Sequence, residues 1–366
     1  MECSGKRAWS KLTRAELDDI RIDRPDDPVR TSVRKKWDTI AKPIDGMGRF
    51  EKITARIGAI TGSDEINLSS KAVIVMCADN GIVNEGVTQT GQEVTALVAQ
   101  SMAKGRSSVC RMGRQIGAKI IPIDIGINCD SSIEGVLDRK IRKGTRDFLT
   151  EPAMTEEEAV RAIGVGIDAV RECREHGVNI IAIGEMGIGN TTTATAVTSA
   201  LLHLDPDRIT GRGAGLSDEG LERKKQVIND ALEKYKLDDK DALTVLEAVG
   251  GLDIAGLAGV CIGGAIYHVP IVLDGLITMA AALVAEKLAE GTAEYLIPSH
   301  SGREPAVRAL EEALGMSPVI YGDLALGEGT GAVMMLSLLD LAMSIYHDNT
   351  DFAEIKVEQY KRYDDR

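Results

Sequence analysis

Aromatic residues are scarce: Phe, Trp and Tyr together make up 3% of the 366 residues. A flat ligand therefore has no stacking platform and has to be held by aliphatic, methionine and glycine surfaces. Positive charge is in deficit too. The formal net charge of −13 argues against nucleic acid as a partner, because neutralising a phosphate backbone takes a basic stripe. A small anionic substrate needs only a local basic pocket and stays allowed. The cysteines, Cys3, Cys77, Cys110, Cys129, Cys173 and Cys261, form no close pair of metal-ligand or redox type. They read as inert thiols in a reducing cytoplasm. The five histidines show no paired ligand spacing, so no metal site is expected. The polar amino end lacks the apolar run of a signal peptide. The longest apolar stretch, 254–285, is broken by Pro270, Asp274 and five glycines. A buried helix, strand and second helix fit it better than a bilayer span, and no membrane partner is expected. Tandem repeats and low-complexity linkers are absent.

What is present is an ordinary globular balance, 44% hydrophobic and 27% charged, in a chain long enough for a large core. Six short apolar runs read as buried parallel strands: 72–77, 119–124, 178–183, 269–273, 295–297 and 319–321. Helical stretches lie between them. This order predicts a doubly wound α/β fold with a mostly parallel six-stranded sheet. One helix is well signed, since Thr155 with Glu158 makes a capping box and Gly177 closes it. Another is expected to start at Ser217. The ends, 13–37 and 336–363, read as helical and lack glycine loops. Residues 67–335 are therefore assigned to a Rossmann-like catalytic domain, and 1–66 with 336–366 to a small helical subdomain.

Glycine-rich loops follow the runs at 79–95, 184–193, 274–275, 299–304 and 322–331. In open parallel sheets ligands bind outside the carboxyl ends of the strands, so one composite site is expected there. The loop Gly184, Glu185, Met186, Gly187, Ile188, Gly189, Asn190 is followed by Thr191, Thr192 and Thr193. It is neither a phosphate-binding loop ending in Lys nor a dinucleotide fingerprint. A tight turn would account for its glycines. The three threonines at a helix start favour an anion site, where unpaired N–H groups point outward.

Glu328, between Gly327 and Gly329, is a carboxylate that no bulky neighbour crowds, although an exposed glutamate is the usual reading. With Glu185 it puts two carboxylates in one cleft, which suits a base but equally glycoside hydrolysis or a magnesium site. Lys224, between Arg223 and Lys225, is either a solvated helix face or a phosphate ligand. Asp79, Asn80, Thr88 and Gln92 belong to a loop whose amides and hydroxyls suit the edge of a polar ring. A well-bonded turn explains them as well. A nucleotide-dependent oxidoreductase is disfavoured by the missing fingerprint.

Together these motifs resemble the nicotinate-nucleotide–dimethylbenzimidazole phosphoribosyltransferase family of cobalamin biosynthesis, over about 42–344. The early element matches at Lys42, Pro43, Gly48, Arg49 and Glu51. The Ala-Asp-His-Gly loop matches at Ala78, Asp79, Asn80 and Gly81, with Asn for His. Gln92 to Thr95, Glu185 to Thr192, and Gly327, Glu328 and Gly329 complete the set. The resemblance implies transfer of phosphoribose from nicotinate mononucleotide to a benzimidazole-type base, without a cofactor, in a homodimer. It implies Glu328 as general base and phosphate contacts from Gly187, Gly189, Asn190, Thr191, Thr192 and Lys224. It implies a ribose or acceptor contact from Glu185, and acceptor contacts from Asp79, Asn80, Thr88 and Gln92. The departures at Asn80 and at Gln89, Thr90 and Gly91 put the acceptor's identity in question.

Overall fold

Strand β1, Lys71–Ala78, is buried at all positions and its side chains divide between two cores. Ala72, Ile74, Met76 and Ala78 face one, and Val73, Val75 and Cys77 face the other. A strand apolar on both faces belongs at the centre of a sheet covered on both sides. The computed structural model, which describes residues 8–363, places it there. The other strands of the sheet are β2 (Lys119–Gly126), β3 (Leu137–Asp138), β4 (Ile180–Met186), β5 (Ile271–Leu273) and β6 (Leu296–Pro298). They lie in the order β3-β2-β1-β4-β5-β6, every pair parallel. This is the expected doubly wound sheet, and its strand order reverses at β1 and β4. A crevice opens there beyond the carboxyl ends of the two strands.

One strand assignment is corrected. The run 319–321 does not join this sheet. Its residues Ile320–Tyr321 form β8, which pairs only with β7, His300–Ser301, in a separate two-stranded ribbon. Tyr321 is exposed, so the burial that marks a central strand is missing. The sixth position in the main sheet belongs to β3, whose two residues are both exposed and carry no apolar run.

The ends are less helical than expected. Residues 13–37 break into Arg14–Asp18 and Asp27–Thr39, because Pro25 disfavours helix at the residue before it and Asp26 caps the second helix on the Val29 N–H. At the other end the helix Thr330–His347 stops at His347. The tail runs back irregularly and is tied down by Arg362, which pairs with Asp38 and Asp45. Between these ends, Trp37 donates to Thr54 Oγ1 at 2.8 Å and its ring lies 5.2 Å from that of Tyr346. Cys3 lies outside the described residues; the other cysteines are free thiols.

The apolar stretch 254–285 folds as expected into a helix, Leu252–Ile266, strand β5 and a second helix, Leu276–Leu288, buried over 252–265, 271–273 and 276–285. Helix Leu252–Ile266 crosses the capped helix Glu156–Glu175 at backbone contact. A Cβ on Gly166 would lie 2.0 Å from the Gly256 carbonyl oxygen, and one on Gly259 would lie 1.9 Å from that of Ile163. Only hydrogen fits there. Gly166→Ala is expected to destabilise the fold by about 1–3 kcal/mol through overpacking, read as a lowered thermal midpoint with the active-site chemistry intact.

Candidate active site

At the reversal point β4 runs into the turn Gly187, Ile188, Gly189 and then the helix Asn190–Leu202. Gly187 packs so close to β1 that a Cβ would lie 2.4 Å from the Ala78 carbonyl oxygen. Successive helical residues point about 100° apart, and the three threonines diverge accordingly. Thr191 faces a cavity of about 230 Å³. Thr192 is fully buried, its hydroxyl without a hydrogen-bond partner among the described residues. Thr193 turns inward to Asn80 Oδ1 at 3.2 Å.

The cavity is lined from four segments: Glu185 to Ile188 with Asn190 and Thr191 at the end of β4, Asp274 to Thr278 after β5, residues of 300–307 around β7, and Leu324 to Gly327 with Thr330 after β8. Gly213 and Ala214 complete it. A larger cavity of about 680 Å³ lies against the amino-terminal half of β2, away from every loop that carries chemistry.

Behind Thr191, outside the lining of the smaller cavity, Lys224 is 0% exposed. Its ammonium donates to Thr191 Oγ1 at 2.9 Å and to the Gly211 carbonyl at 3.0 Å. Burial pulls its pKa down to about 8, against the attraction of Glu304. The lysine is thus an internal cation, one hydrogen bond behind the lining residue Thr191.

Glu185 belongs to the lining itself. Burial, then Asp253, Asp274 and Glu328, push its carboxyl up to about 8, while Asn190 opposes the shift through a hydrogen bond. Its surroundings thus favour the protonated form. Burial also raises Asp253, which accepts from Asn190 Nδ2 at 3.2 Å, and Asp274. Asp274 is spent on architecture: it accepts from the N–H groups of Gly329, Gly331 and Ala332 at 2.8–3.2 Å and so caps the helix Thr330–His347. His300, in β7 of the ribbon, has its Nδ1 2.9 Å from Ser299 Oγ and 3.9 Å from Asp274 Oδ1.

Glu328 follows Gly327, which lines the cavity, but is not itself part of the lining. Gly327, Glu328 and Gly329 all have left-handed backbone, with φ of 84°, 61° and 88°. Glycine takes this conformation freely and glutamate does not, so the turn holds Glu328 in place at a cost. Its Oε2 accepts the Val109 N–H at 3.0 Å, at the start of the helix Ser108–Gln115. The turn reaches the cavity because β4 has no side chain at Gly184: a Cβ there would lie 2.3 Å from Gly329 N.

The loop after β1 supports this assembly from behind and contributes no lining to the cavity. Asp79 accepts from the Asn128 N–H at 2.8 Å. Asn80, 1% exposed, is packed under the Gly187 to Gly189 turn. Gln92 Nε2 donates to the Asn80 carbonyl at 3.1 Å, and Thr88 bonds the Thr90 carbonyl at 2.8 Å. Gly189 turns toward the same loop, where a Cβ would meet Val83 and Asn80. Farther out, the buried pair of Lys42 and Glu51 at 2.6 Å orders the early motif, and Arg49 ties it to the Pro318 carbonyl before β8.

Asp253 and Glu304 were not singled out from the sequence. Asp253 is the one acid in a long apolar helix, a signal that was there to read. Glu304 became meaningful only when the fold set it against Gly213, whose N–H donates to its Oε1 at 3.1 Å.

A strand–loop–helix turn, a buried cation and several carboxylates thus gather at the reversal point of the sheet. A family model described as phosphoribosyltransferase matches residues 22–357, and the chain belongs to that family. Its curated relatives carry a narrower name, nicotinate-nucleotide–dimethylbenzimidazole phosphoribosyltransferase. The one from Acetivibrio thermocellus is 41% identical over 329 residues, covering 90% of this chain and 94% of the relative. The one from Alkaliphilus metalliredigens is 42% identical over 334 residues, covering 91% and 96%. The crystal structure of CobT from Thermus thermophilus superposes with a TM-score of 0.86 at 38% identity, covering 91% of this chain and all of that one.

Proposed function

We propose that this protein transfers the phosphoribosyl group of nicotinate mononucleotide to 5,6-dimethylbenzimidazole or a related base. Nicotinate leaves, and α-ribazole 5′-phosphate forms with inversion at the anomeric carbon. The observation that carries the reading is one cavity lined by Thr191, with the buried Lys224 bonded behind it, and by the buried Glu185 beside the Gly327 to Gly329 turn. The 5′-phosphate lies against Lys224, Thr191 and the first N–H groups of helix Asn190–Leu202. Glu185 donates a hydrogen bond to a ribose hydroxyl or the acceptor. The bond from the ribose carbon to the pyridinium nitrogen breaks, its electron pair staying on nicotinate as a neutral ring nitrogen. The acceptor nitrogen adds its lone pair from the opposite face. The acceptor's other N–H proton passes to Glu328. The positive charge of the pyridinium supplies the activation, so the reaction calls for no cofactor. The acceptor lies beyond the turn, toward Glu328 and the loop containing Thr88 and Gln92. Two like chains form the working unit, which light scattering on the purified protein checks.

Incubation with nicotinate mononucleotide and a panel of benzimidazoles, adenine and phenols, read by mass spectrometry, tests this. Absence of a phosphoribosylated product with every acceptor would remove the assignment.

Affinity for the nucleotide should also depend on pH. Below about 8 Lys224 carries its proton and attracts the phosphate; above it the group turns neutral. Nucleotide binding is therefore expected to weaken as pH rises through that value. Because the phosphate restores the charge, binding near pH 8 takes up a proton, measurable by calorimetry in buffers of different ionisation enthalpy. Nicotinate riboside, which lacks the phosphate, is the control. It senses Glu185, which titrates in the same range, but not Lys224.

A further inference from the structure

The anion subsite beside Lys224 already contains an anion. Glu304 lies in the chain between β7 and the helix Ala306–Ala313, its main chain fixed by the Val307 N–H, which donates to the Glu304 carbonyl at 3.1 Å. Its side chain reaches across the cavity to the opposite loop. Oε1 takes the Gly213 N–H at 3.1 Å. Oε2 is buried and has no hydrogen-bond partner among the described residues. The fit is tight, since a Cβ on Gly211 would lie 1.9 Å from Oε2. The same Gly211 offers its carbonyl to Lys224, and Glu304 is the negative group that acts on that ammonium. A carboxylate oxygen buried without a donor is unfavourable unless the position is retained for another reason. An ammonium has three donors, and two of those on Lys224 go to neutral oxygens.

We infer that the Glu304 carboxylate is an internal occupant of the phosphate subsite, which the 5′-phosphate of the substrate has to displace. The inference rests on the reading of this cavity as a nucleotide site. In the empty site Glu304 holds the Gly213 amide and balances Lys224. A phosphate dianion drawn to Lys224 meets the carboxylate at close range, where like charges repel strongly. Glu304 then swings away by side-chain rotation, its main chain staying on the helix. The consequence is selectivity. Inorganic phosphate and small carboxylates bring no ribose contacts to offset the displacement, so they are refused, whereas the nucleotide has those contacts and enters. Glu304 would thus determine specificity without touching the reacting atoms.

The test is the Glu304→Gln variant. Its amide oxygen can still accept the Gly213 N–H, and the side chain keeps its shape while losing its charge. Dissociation constants are measured by calorimetry for inorganic phosphate, nicotinate mononucleotide and nicotinate riboside, with Lys224→Ala in parallel. Expected for Glu304→Gln is binding about tenfold tighter for inorganic phosphate and for the nucleotide, the order of one relieved like-charge contact at a partly solvated site, with the riboside unchanged. Weaker binding of both nucleotide and riboside would overturn the inference, because it would make Glu304 a ribose ligand. Unchanged constants for all three would overturn it as well. The underlying reading fails separately: if Lys224→Ala weakens nucleotide and riboside equally, the phosphate does not bind at this end of the cavity.

Discussion

Glu328→Gln is expected to lower turnover by about a hundred- to ten-thousand-fold, the usual contribution of a general base, and to leave nicotinate mononucleotide binding nearly intact. The geometry makes the experiment clean. Among the described residues, the Glu328 carboxylate is held by a hydrogen bond from the Val109 N–H, and a glutamine oxygen can accept that bond equally well. The left-handed backbone of the turn is set by Gly327 and Gly329, which the substitution leaves alone. The nucleotide's anchors lie at the far end of the cavity. Shape, loop and donor binding persist, and only the capacity to take the acceptor's proton disappears. Single-turnover rates with dimethylbenzimidazole, beside calorimetric binding of the nucleotide, separate the two. Unchanged turnover would remove Glu328 from the proton transfer.

Gly184→Ala is the second large effect expected, and it acts at a distance. The residue is a buried strand position with no functional group. The three atoms nearest a Cβ there are Gly329 N, Glu328 C and Glu328 O, at 2.3–2.5 Å. All are main chain, so no side-chain rotation can relieve the clash, and the turn carrying Glu328 has to move outward. A shift of about 1 Å at a reacting group costs about a hundredfold in rate. A fall in turnover of that order is expected, with a modest loss of thermal stability. A Gly184→Ala enzyme with ordinary turnover would show that the strand and the turn are not mechanically linked.

The sequence carried the sheet's centre and lost its margins. β1, β4 and β5 are buried on both faces, and unbroken apolar runs reveal them directly. β3 is two exposed residues that align only with Ile123 and Asp124, so nothing in its composition marks it. The 319–321 run shows the opposite failure, apolar residues that pair as a short ribbon because a partner lay elsewhere. In the site, glycines located the loops but not the directions of the side chains on them. Helical geometry sends Thr191 to the cavity and Thr193 away from it. The charge of Lys224 was visible, its burial was not, and burial is what makes it chemically distinct from Arg223 and Lys225. Glu304 needed tertiary structure altogether, since its partner Gly213 is remote in sequence.

The strand order has a consequence for how the site comes into being. β1 and β2 are near neighbours in the chain, but β1 and β4 pair Lys71 with Ile180, closing a long loop. Contacts of high sequence separation form late, because the loop entropy has to be overcome before they reward it. The 71–126 half can therefore organise early, while the Gly187 turn reaches the Ala78 carbonyl only when β4 docks. The Glu328 turn follows later still, since it rests on Gly184 of the docked strand. Competence for the transfer, which needs both turns, thus arises late in folding. Regain of activity during refolding should then trail the return of helical signal, as a readout of sheet completion and not of collapse.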